Sequence, residues 1–168
     1  MNIHTQRIDD LRQAMKSQNI DAMIIPRTDA HISEYISDHW HVVRYLSGFT
    51  GSAATMVVTA DKALLWTDSR YFLQAGQQLD GTGIGLMKEG LPETPDITTW
   101  LCSHLASGTT VGVDGMTVSI DSCAALAKAL ADRGINLKVD FSPIDSIWTD
   151  RPALPSDQIF IHDIKYAG

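Results

Sequence analysis

The stretch ALLWTDSRYFLQAGQQL, residues 63–79, predicts the kind of fold that this chain adopts. Its apolar beginning, residues 63–66, is typical of a buried β-strand, and the polar residues at 67–69 end that strand. A helical pattern then runs from Arg70 to residue 79. A strand that passes through a short polar corner into a helix is typical of an α/β protein.

Arg70 is an unusual residue for the first turn of a helix. Exposed N–H groups and the helix dipole make that turn positive, so a cation there is disfavoured. One explanation is structural: Asp68 or Ser69 caps the helix, and the Arg70 side chain reaches solvent or pairs with Asp68. The other is functional: the corner forms the rim of a cleft, where a guanidinium binds a carbonyl or carboxylate oxygen. The residues themselves leave both explanations open.

The rest of the chain predicts a mixed β-sheet flanked by helices. Thr5 is a plausible cap for the first helix, and the apolar segments after it are expected to form an antiparallel meander. The predicted elements of the first half are a helix at 5–18 and strands at 21–26, 42–48, 53–59 and 63–67. The second half alternates strands at 83–90, 109–115 and 135–141 with helices at 96–106 and 119–134. This alternation follows the logic of βαβ units.

Composition and charge restrict the class of protein. The chain has 168 residues, of which 44% are hydrophobic and 20% charged, as expected of one folded domain. Its net charge of −7 argues against a nucleic-acid partner or an anionic membrane surface. No signal peptide opens the sequence, and no apolar run approaches the ~20 residues of a membrane span. We therefore expect a cytoplasmic protein in which Cys102 and Cys123 are buried free thiols.

Several segments carry residue types that could support chemistry, but none forms a complete site. His39 and His41 have HxH spacing, and Asp29, His31 and Glu34 lie close to them in sequence. A hydrolytic metal site needs at least three converging ligands, so we interpret these residues as loop and turn residues. The Gly-rich SGFTGSAAT lacks the lysine of a phosphate-binding loop and leads into a strand. Signatures of serine or cysteine nucleophiles are absent from the sequence.

The end of the chain predicts a domain boundary. Pro152 and Pro155 lie in a linker-like stretch, and an apolar tail at 159–166 follows them. Such a tail is expected to pack on another part of a protein. We therefore expect residues 1–150 to form the domain, and residues 151–168 to be a linker and the start of a junction to a second domain that this chain lacks.

Together these segments resemble a known family, the aminopeptidase P (Xaa-Pro aminopeptidase) family in its long, three-domain form. The segments that carry the resemblance are IIPRTDAHISEYI, RYLSGFTGSAATMVVT, ALLWTDSRYFLQAGQQL, LMKEGLPETP, VGVDG, IWTDRPALP and the closing KYAG. The resemblance runs in order from Asp21 to Tyr166 and is to the N-terminal domain of that enzyme. It implies the creatinase N-terminal fold, which is ribonuclease H-like.

The resemblance also implies a function. The full enzymes are metal-dependent peptidases that remove the N-terminal residue before a proline, with two manganese ions held by two Asp, one His and two Glu in a C-terminal domain. Those ligand motifs do not occur here, so no catalytic or metal residue is expected in this chain. The implied partners are a peptide with proline at its second position, the enzyme's own catalytic domain, and a second copy in a homodimer.

For site residues, the resemblance favours the functional explanation of Arg70. In the related long-form enzymes, the arginine of the TD-small-RY motif reaches across the domain junction to bound peptide, and this chain has that motif as TDSRY. His31 and His41 are further substrate-binding candidates. Two alternatives stay open: the corresponding domain of a prolidase or creatinase, and a stand-alone oligomerisation or binding module.

Overall fold

A computed structural model describes residues 2–166 and contains a six-stranded mixed sheet. The strands are β1 (Ala22–Pro26), β2 (Thr55–Thr59), β3 (Ala63–Thr67), β4 (Gly85–Lys88), β5 (Thr110–Val113) and β6 (Asn136–Lys138). Their order across the sheet is β4-β3-β2-β1-β5-β6. β2 is antiparallel to β1 and β3, whereas the other neighbouring pairs are parallel. The predicted mixed α/β fold is thereby confirmed.

Six α-helices and four short 3₁₀ turns connect these strands in the described part of the chain. The helices are α1 (Ile3–Ser17), α2 (Val42–Ser47), α3 (Phe72–Gln78), α4 (Ile97–His104), α5 (Ile120–Ala131) and α6 (Ile144–Ile147). The 3₁₀ turns are Asp38–Trp40, Ser69–Tyr71, Gly115–Thr117 and Ile164–Tyr166. No helix within residues 2–166 has the length and apolar character needed to cross a membrane.

The helices cover both faces of the sheet, and the sequence of β1 explains why. Met23 and Ile25 belong to a core with α1 and α2, whereas Ala22 and Ile24 belong to a second core with α4 and α5. Successive side chains of a strand point to opposite faces, so a strand that is apolar at every position needs cover on both sides. α4 and α5 also carry the half-buried thiols Cys102 and Cys123, which are not joined in a disulfide.

Residues 42–48 are the main error of the sequence prediction. They form helix α2 and not a strand, so the antiparallel meander consists of β1, β2 and β3. α2 buries Val42, Val43 and Leu46, a spacing that suits one face of a helix. Gly48 ends α2 with a left-handed conformation (φ 77°), and its N–H donates to the carbonyl oxygen of Arg44.

The cap of α1 is a second correction. Asn2, and not Thr5, is the N-cap, because the Asn2 side chain accepts a hydrogen bond from the N–H of His4 at 2.9 Å. The Thr5 hydroxyl instead donates to the carbonyl oxygen of Thr82 at 3.1 Å, which ties α1 to the chain just before β4. The hydroxyl of Thr5 therefore makes a tertiary contact and does not cap the helix.

The strand directions bring the polar loops to one edge of the sheet. β2 is the one strand of the six that runs against the others, so the carboxyl ends of the remaining five lie at the same edge. Arg27 follows β1 and Asp68 follows β3 at this edge, and the loop before β2 reaches it from the opposite direction. We call this the carboxyl edge. Ligands of α/β proteins commonly bind at such an edge.

Candidate functional site

The corner between β3 and α3 holds Arg70 in a defined position. The Asp68 carboxylate accepts three hydrogen bonds from Arg70: from its backbone N–H at 3.0 Å, from Nε at 2.9 Å and from Nη2 at 2.7 Å. Arg70 lies in the 3₁₀ turn Ser69–Tyr71, ahead of α3, and not in the first turn of the α-helix as the sequence predicted. The carboxylate of Asp68 offsets the positive helix end, which explains why an arginine is tolerated there.

Pairing with Asp68 leaves much of the guanidinium accessible. Of its five N–H donors, the ones on Nε and on one side of Nη2 are engaged by Asp68. Within residues 2–166 the Nη1 group has no hydrogen-bond partner, and 65% of the Arg70 side chain is exposed. The hydrogen bonds from Arg70 hold the pKa of Asp68 below its ordinary value, so the pair stays charged at neutral pH. An oriented, partly unpaired guanidinium suits the binding of a carbonyl or carboxylate.

A second set of contacts joins this corner to the loop before β2. The hydroxyl groups of Tyr71 and Ser52 are 2.6 Å apart, and the Thr67 hydroxyl donates to the carbonyl oxygen of Ala53 at 2.6 Å. The hydrogen bond with Ser52 is also the main cause of a lowered pKa for Tyr71. Gly51 packs between the rings of Phe49 and Tyr71, where a Cβ atom would overlap both rings. This glycine is therefore required for a close approach of the loop to the corner.

Arg27 connects the end of β1 to the same loop. Its Nη1 donates to the carbonyl oxygen of Ser52 at 2.9 Å and, over 3.5 Å, to that of Glu34. Arg27, Ser52 and Tyr71 thus form a continuous set of contacts with Arg70 at the carboxyl edge. None of these three supporting residues was predicted from the sequence. The available signal was position at the edge: Arg27 directly follows β1, Ser52 lies in the loop before β2, and Tyr71 ends the turn after β3.

His31, the second candidate, lies in a turn organised by Asp29. One carboxylate oxygen of Asp29 accepts the N–H groups of His31 and Ser33, each at 2.9 Å. Those bonds, above all the one from Ser33, lower the pKa of Asp29. The predicted turn role of Asp29 is confirmed, and His31 itself is exposed.

His41, the third candidate, directly precedes helix α2. Its Nε2 is 3.9 Å from Oδ1 of Asp38, and it lines a groove with His4, Arg7 and Arg44. Burial, followed by the charge of Arg27, lowers the pKa of His41. Among the described residues, no hydrogen bond or ion pair joins Arg70, His31 and His41 to one another.

The described residues do not fit a dinuclear metal site. Between residues 2 and 166, no three His, Cys, Asp or Glu side chains converge in the manner of metal ligands. In the HxH pair, Nδ1 of His39 is hydrogen-bonded to the carbonyl oxygen of Pro152 at 2.7 Å, whereas His41 faces Asp38. The chemistry that this region offers is therefore hydrogen bonding and charge, supplied mainly by Arg70.

Comparison with known sequences identifies the family of domains to which the chain belongs. Residues 7–147 match the family model of the creatinase/prolidase N-terminal domain. Aminopeptidase P2 of Arabidopsis thaliana is 49% identical over 152 residues, which are 89% of this chain and 21% of that protein. An Xaa-Pro aminopeptidase of Caenorhabditis elegans is 39% identical over 166 residues, which are 98% of this chain and 26% of that protein. The chain thus spans about a quarter of the length of these relatives.

Solved structures agree with the sequence comparison. An X-prolyl aminopeptidase from Caenorhabditis elegans, described as a cytosolic enzyme with a di-nuclear active site, superposes with a TM-score of 0.89 at 36% identity. The match covers 96% of this chain and 28% of that one. The N-terminal domain of the cytoplasmic peptidase PepQ from Mycobacterium tuberculosis has a TM-score of 0.60 at 28% identity, over 84% of this chain and 98% of that one.

Proposed function

The chain belongs to the creatinase/prolidase N-terminal domain family, and from that premise we propose that it is the non-catalytic N-terminal domain of a metal-dependent Xaa-Pro aminopeptidase. The observation that carries this proposal is the identity to Xaa-Pro aminopeptidases over nearly the whole chain. The intact TDSRY corner supports it further, because that corner presents an oriented arginine at the carboxyl edge.

The proposal divides the work of the enzyme between two parts of a longer protein. Residues 1–150 form the N-terminal domain, and residues 151–168 form the linker and the start of the junction. The described residues do not offer the ligand set for metal ions. Two manganese ions would therefore be held by the remainder of the protein, which would also supply the attack on the peptide bond. The complete enzyme would act in the cytoplasm as a homodimer.

The role we propose for this domain is to bind the part of the peptide that follows proline. A catalytic metal centre recognises the free N-terminus and the scissile carbonyl, so groups further along the cleft must recognise later residues. Arg70 supplies a planar donor pair for backbone carbonyls or a terminal carboxylate. Asp68 fixes its orientation before the peptide binds, which lowers the entropy cost of binding.

Two alternatives would give different results in the same experiment. The corresponding domain of a prolidase would belong to an enzyme that cleaves only dipeptides with proline at the second position. A stand-alone oligomerisation or binding module would belong to a protein without metal ligands beyond Gly168.

The experiment compares this 168-residue chain with the longer protein read from the coding sequence beyond Gly168. Both are incubated with manganese and with either an Arg-Pro-Pro peptide or an Arg-Pro dipeptide, and the released free arginine is measured. We expect release by the longer protein only, and we expect a chelator to stop it. A reading frame that ends near Gly168, or that lacks the two Asp, one His and two Glu, would contradict the proposal, as would release from dipeptides alone.

A further inference from the structure

A groove with a volume of about 610 Å³ lies between α1, α2 and the chain near Trp148, and Arg70 is not among the residues that line it. Arg7 and Arg44 line it together with His4 and His41, so two permanent cations and two imidazole rings share the groove. In a chain with a net charge of −7, such a concentration of cations is unusual. A groove lined by one sign of charge attracts ligands of the opposite sign.

The two arginines of this groove are not neutralised by neighbouring acids. Within residues 2–166, no carboxylate lies at ion-pairing distance from Arg7 or Arg44. The carboxylate that does line the groove, Asp38, has a side chain that is 81% exposed and lies 3.9 Å from His41. The groove therefore keeps a positive balance.

Arg7 is held in place before any ligand arrives. Its Nη1 donates to the carbonyl oxygen of Tyr45 at 2.7 Å, and its guanidinium carbon lies 3.9 Å from the centre of the Tyr45 ring. The same ring stacks on Trp148, with centroids 4.4 Å apart and an angle of 11° between the planes. The Tyr45 hydroxyl donates to the carbonyl oxygen of Ile147 at 2.8 Å, which completes a rigid aromatic wall.

We propose that this groove binds a phosphate or sulfate group through Arg7, Arg44 and His41. The two arginines carry permanent positive charges, and His41 adds a third positive charge when it is protonated. This combination suits an oxyanion with two negative charges. The inference concerns a second site and does not depend on the proposed peptidase function. The ligand is either a free inorganic ion or the phosphate of an organic molecule, since Tyr45 and Trp148 offer an apolar wall beside the cations.

The groups that face His41 also predict a pH dependence. Burial and the charges of Arg27 and Arg44 lower its pKa, whereas Asp38 opposes them. A bound dianion would favour the protonated ring, so binding should take up a proton. His4 lines the same groove, with Nδ1 3.2 Å from the carbonyl oxygen of Leu46. The variant His41→Gln separates its contribution from that of His4.

The test is a titration of the 168-residue chain at constant ionic strength, followed by amide shifts in NMR spectra. The probes are inorganic phosphate, phenyl phosphate and acetate, with Arg44→Gln as the variant and Arg133→Gln as the control. Arg44 and Arg133 are both exposed, and both substitutions remove one positive charge. We expect saturable phosphate binding that Arg44→Gln weakens by about tenfold or more, whereas Arg133→Gln leaves it unchanged.

The remaining comparisons show whether the bound phosphate is a free ion or part of an organic molecule, and whether His41 takes part in binding. Tighter binding of phenyl phosphate than of inorganic phosphate identifies an organic phosphate as the ligand, and equal binding identifies the free ion. Sulfate keeps its charge from pH 5.5 to pH 8, so its affinity should fall over that range in the wild type and fall less in His41→Gln. The proposal is overturned by non-saturable phosphate shifts, by acetate binding as well as phosphate does, by equal losses in Arg44→Gln and Arg133→Gln, or by a sulfate affinity independent of pH.

Discussion

Apolar side chains in the sheet and in the segment 152–166 have opposite environments. Leu65 in β3 is fully buried, whereas Ile161 in the segment is 97% exposed. Phe160, Ile164 and Tyr166 are exposed as well. The same residue types thus form the core of one region and a solvent-facing surface in the other.

The difference shows that hydrophobicity alone does not bury a residue. β3 contributes to a core because β2 and β4 fix its backbone and helices cover its face. In the segment, the Ile164–Tyr166 turn is the one regular element among the described residues after α6. Large apolar side chains without cover are a feature of surfaces that contact another protein or domain, which agrees with the linker role proposed above.

The largest effect on stability is expected from truncation of Leu65. Leu65→Ala removes buried methyl groups and leaves a cavity, so it should lower the free energy of unfolding by about 2–5 kcal/mol. Ile161→Ala is the matched control, because its side chain is already in water, and it should change stability by less than about 0.5 kcal/mol. Urea unfolding of the 168-residue chain measures both. Similar losses for the two variants would show that the segment is packed in solution.

The second-largest effect is expected on activity. It concerns Arg70, whose side chain is exposed like the apolar side chains of the segment 152–166 but is charged. In the longer protein, Arg70→Ala should lower kcat/KM for tri- and tetrapeptides by about 10- to 100-fold, the usual cost of losing a charge-assisted hydrogen bond. Arg70→Lys should recover part of this loss, because an ammonium group lacks the planar donor pair. Steady-state kinetics give the values.

The control for Arg70 is Arg133→Ala, which removes an exposed arginine outside the carboxyl edge. It should leave kcat/KM unchanged, and neither variant should shift Tm by more than about 2 °C, since exposed ion pairs add little stability. If Arg70→Ala keeps kcat/KM within about threefold of the wild type, the structural explanation is sufficient, and Arg70 is a surface residue paired with Asp68.

Much of the fold could be predicted from the sequence because its patterns were strong. The apolar segments and the turn residues between them predicted β2 and β3. In the second half of the chain, the strands β4, β5 and β6 lie within the predicted ranges. α2 could not be predicted by residue preference, since its valines favour strands. Packing of Val42, Val43 and Leu46 on the core overrides that preference. The informative signals were the helical spacing of these three residues and Gly48, which ends the helix.

The candidate site was less predictable than the fold. The sequence placed Asp68 beside Arg70 and so suggested their pairing, which the structure contains. It did not indicate that Ser52 contacts Tyr71, because that contact joins loops on different strands and follows from the sheet order. The binding role of Arg70 rests on resemblance, since no local pattern distinguishes a paired surface arginine from one that also binds substrate.

A smaller effect is expected from two aspartates that accept backbone N–H groups. One caps a helix that covers the sheet, and the other lies in the exposed segment. Asp96 caps α4, with Oδ1 at 2.9 Å from the N–H of Thr99 and Oδ2 at 2.6 Å from its hydroxyl. Asp163 accepts the N–H of Lys165 at 3.0 Å in the exposed segment. Asp96→Ala should cost about 1 kcal/mol of folding stability, whereas Asp163→Ala should leave Tm unchanged.

The loss at Asp96 should depend on pH with a defined sign. The bonds from Thr99, side chain first, lower the pKa of Asp96 in the folded state. A depressed folded pKa adds stability above the unfolded pKa, and this stability is lost as pH falls through the folded value. The difference between wild type and Asp96→Ala should therefore be full at pH 7 and shrink below about pH 4. Thermal unfolding across this range measures the difference, and a difference that stays constant with pH would show that the carboxylate does not act as the cap.

The smallest effect is expected in amide exchange of the segment itself. The amide of Tyr166 donates to the carbonyl oxygen of Asp163 at 2.9 Å, but the described segment has no sheet or long helix to shield its other amides. Such amides exchange with almost no protection, whereas those of β1 and β2 exchange only when the core opens. Hydrogen exchange of the 168-residue chain, with light scattering to verify a monomer, should show this contrast. In the longer protein the same amides should become protected, because the linker proposal places the apolar side chains of the segment against the next domain. Strong protection in the isolated monomer would instead mean that the segment packs on this domain, and its apolar surface would then need no further partner.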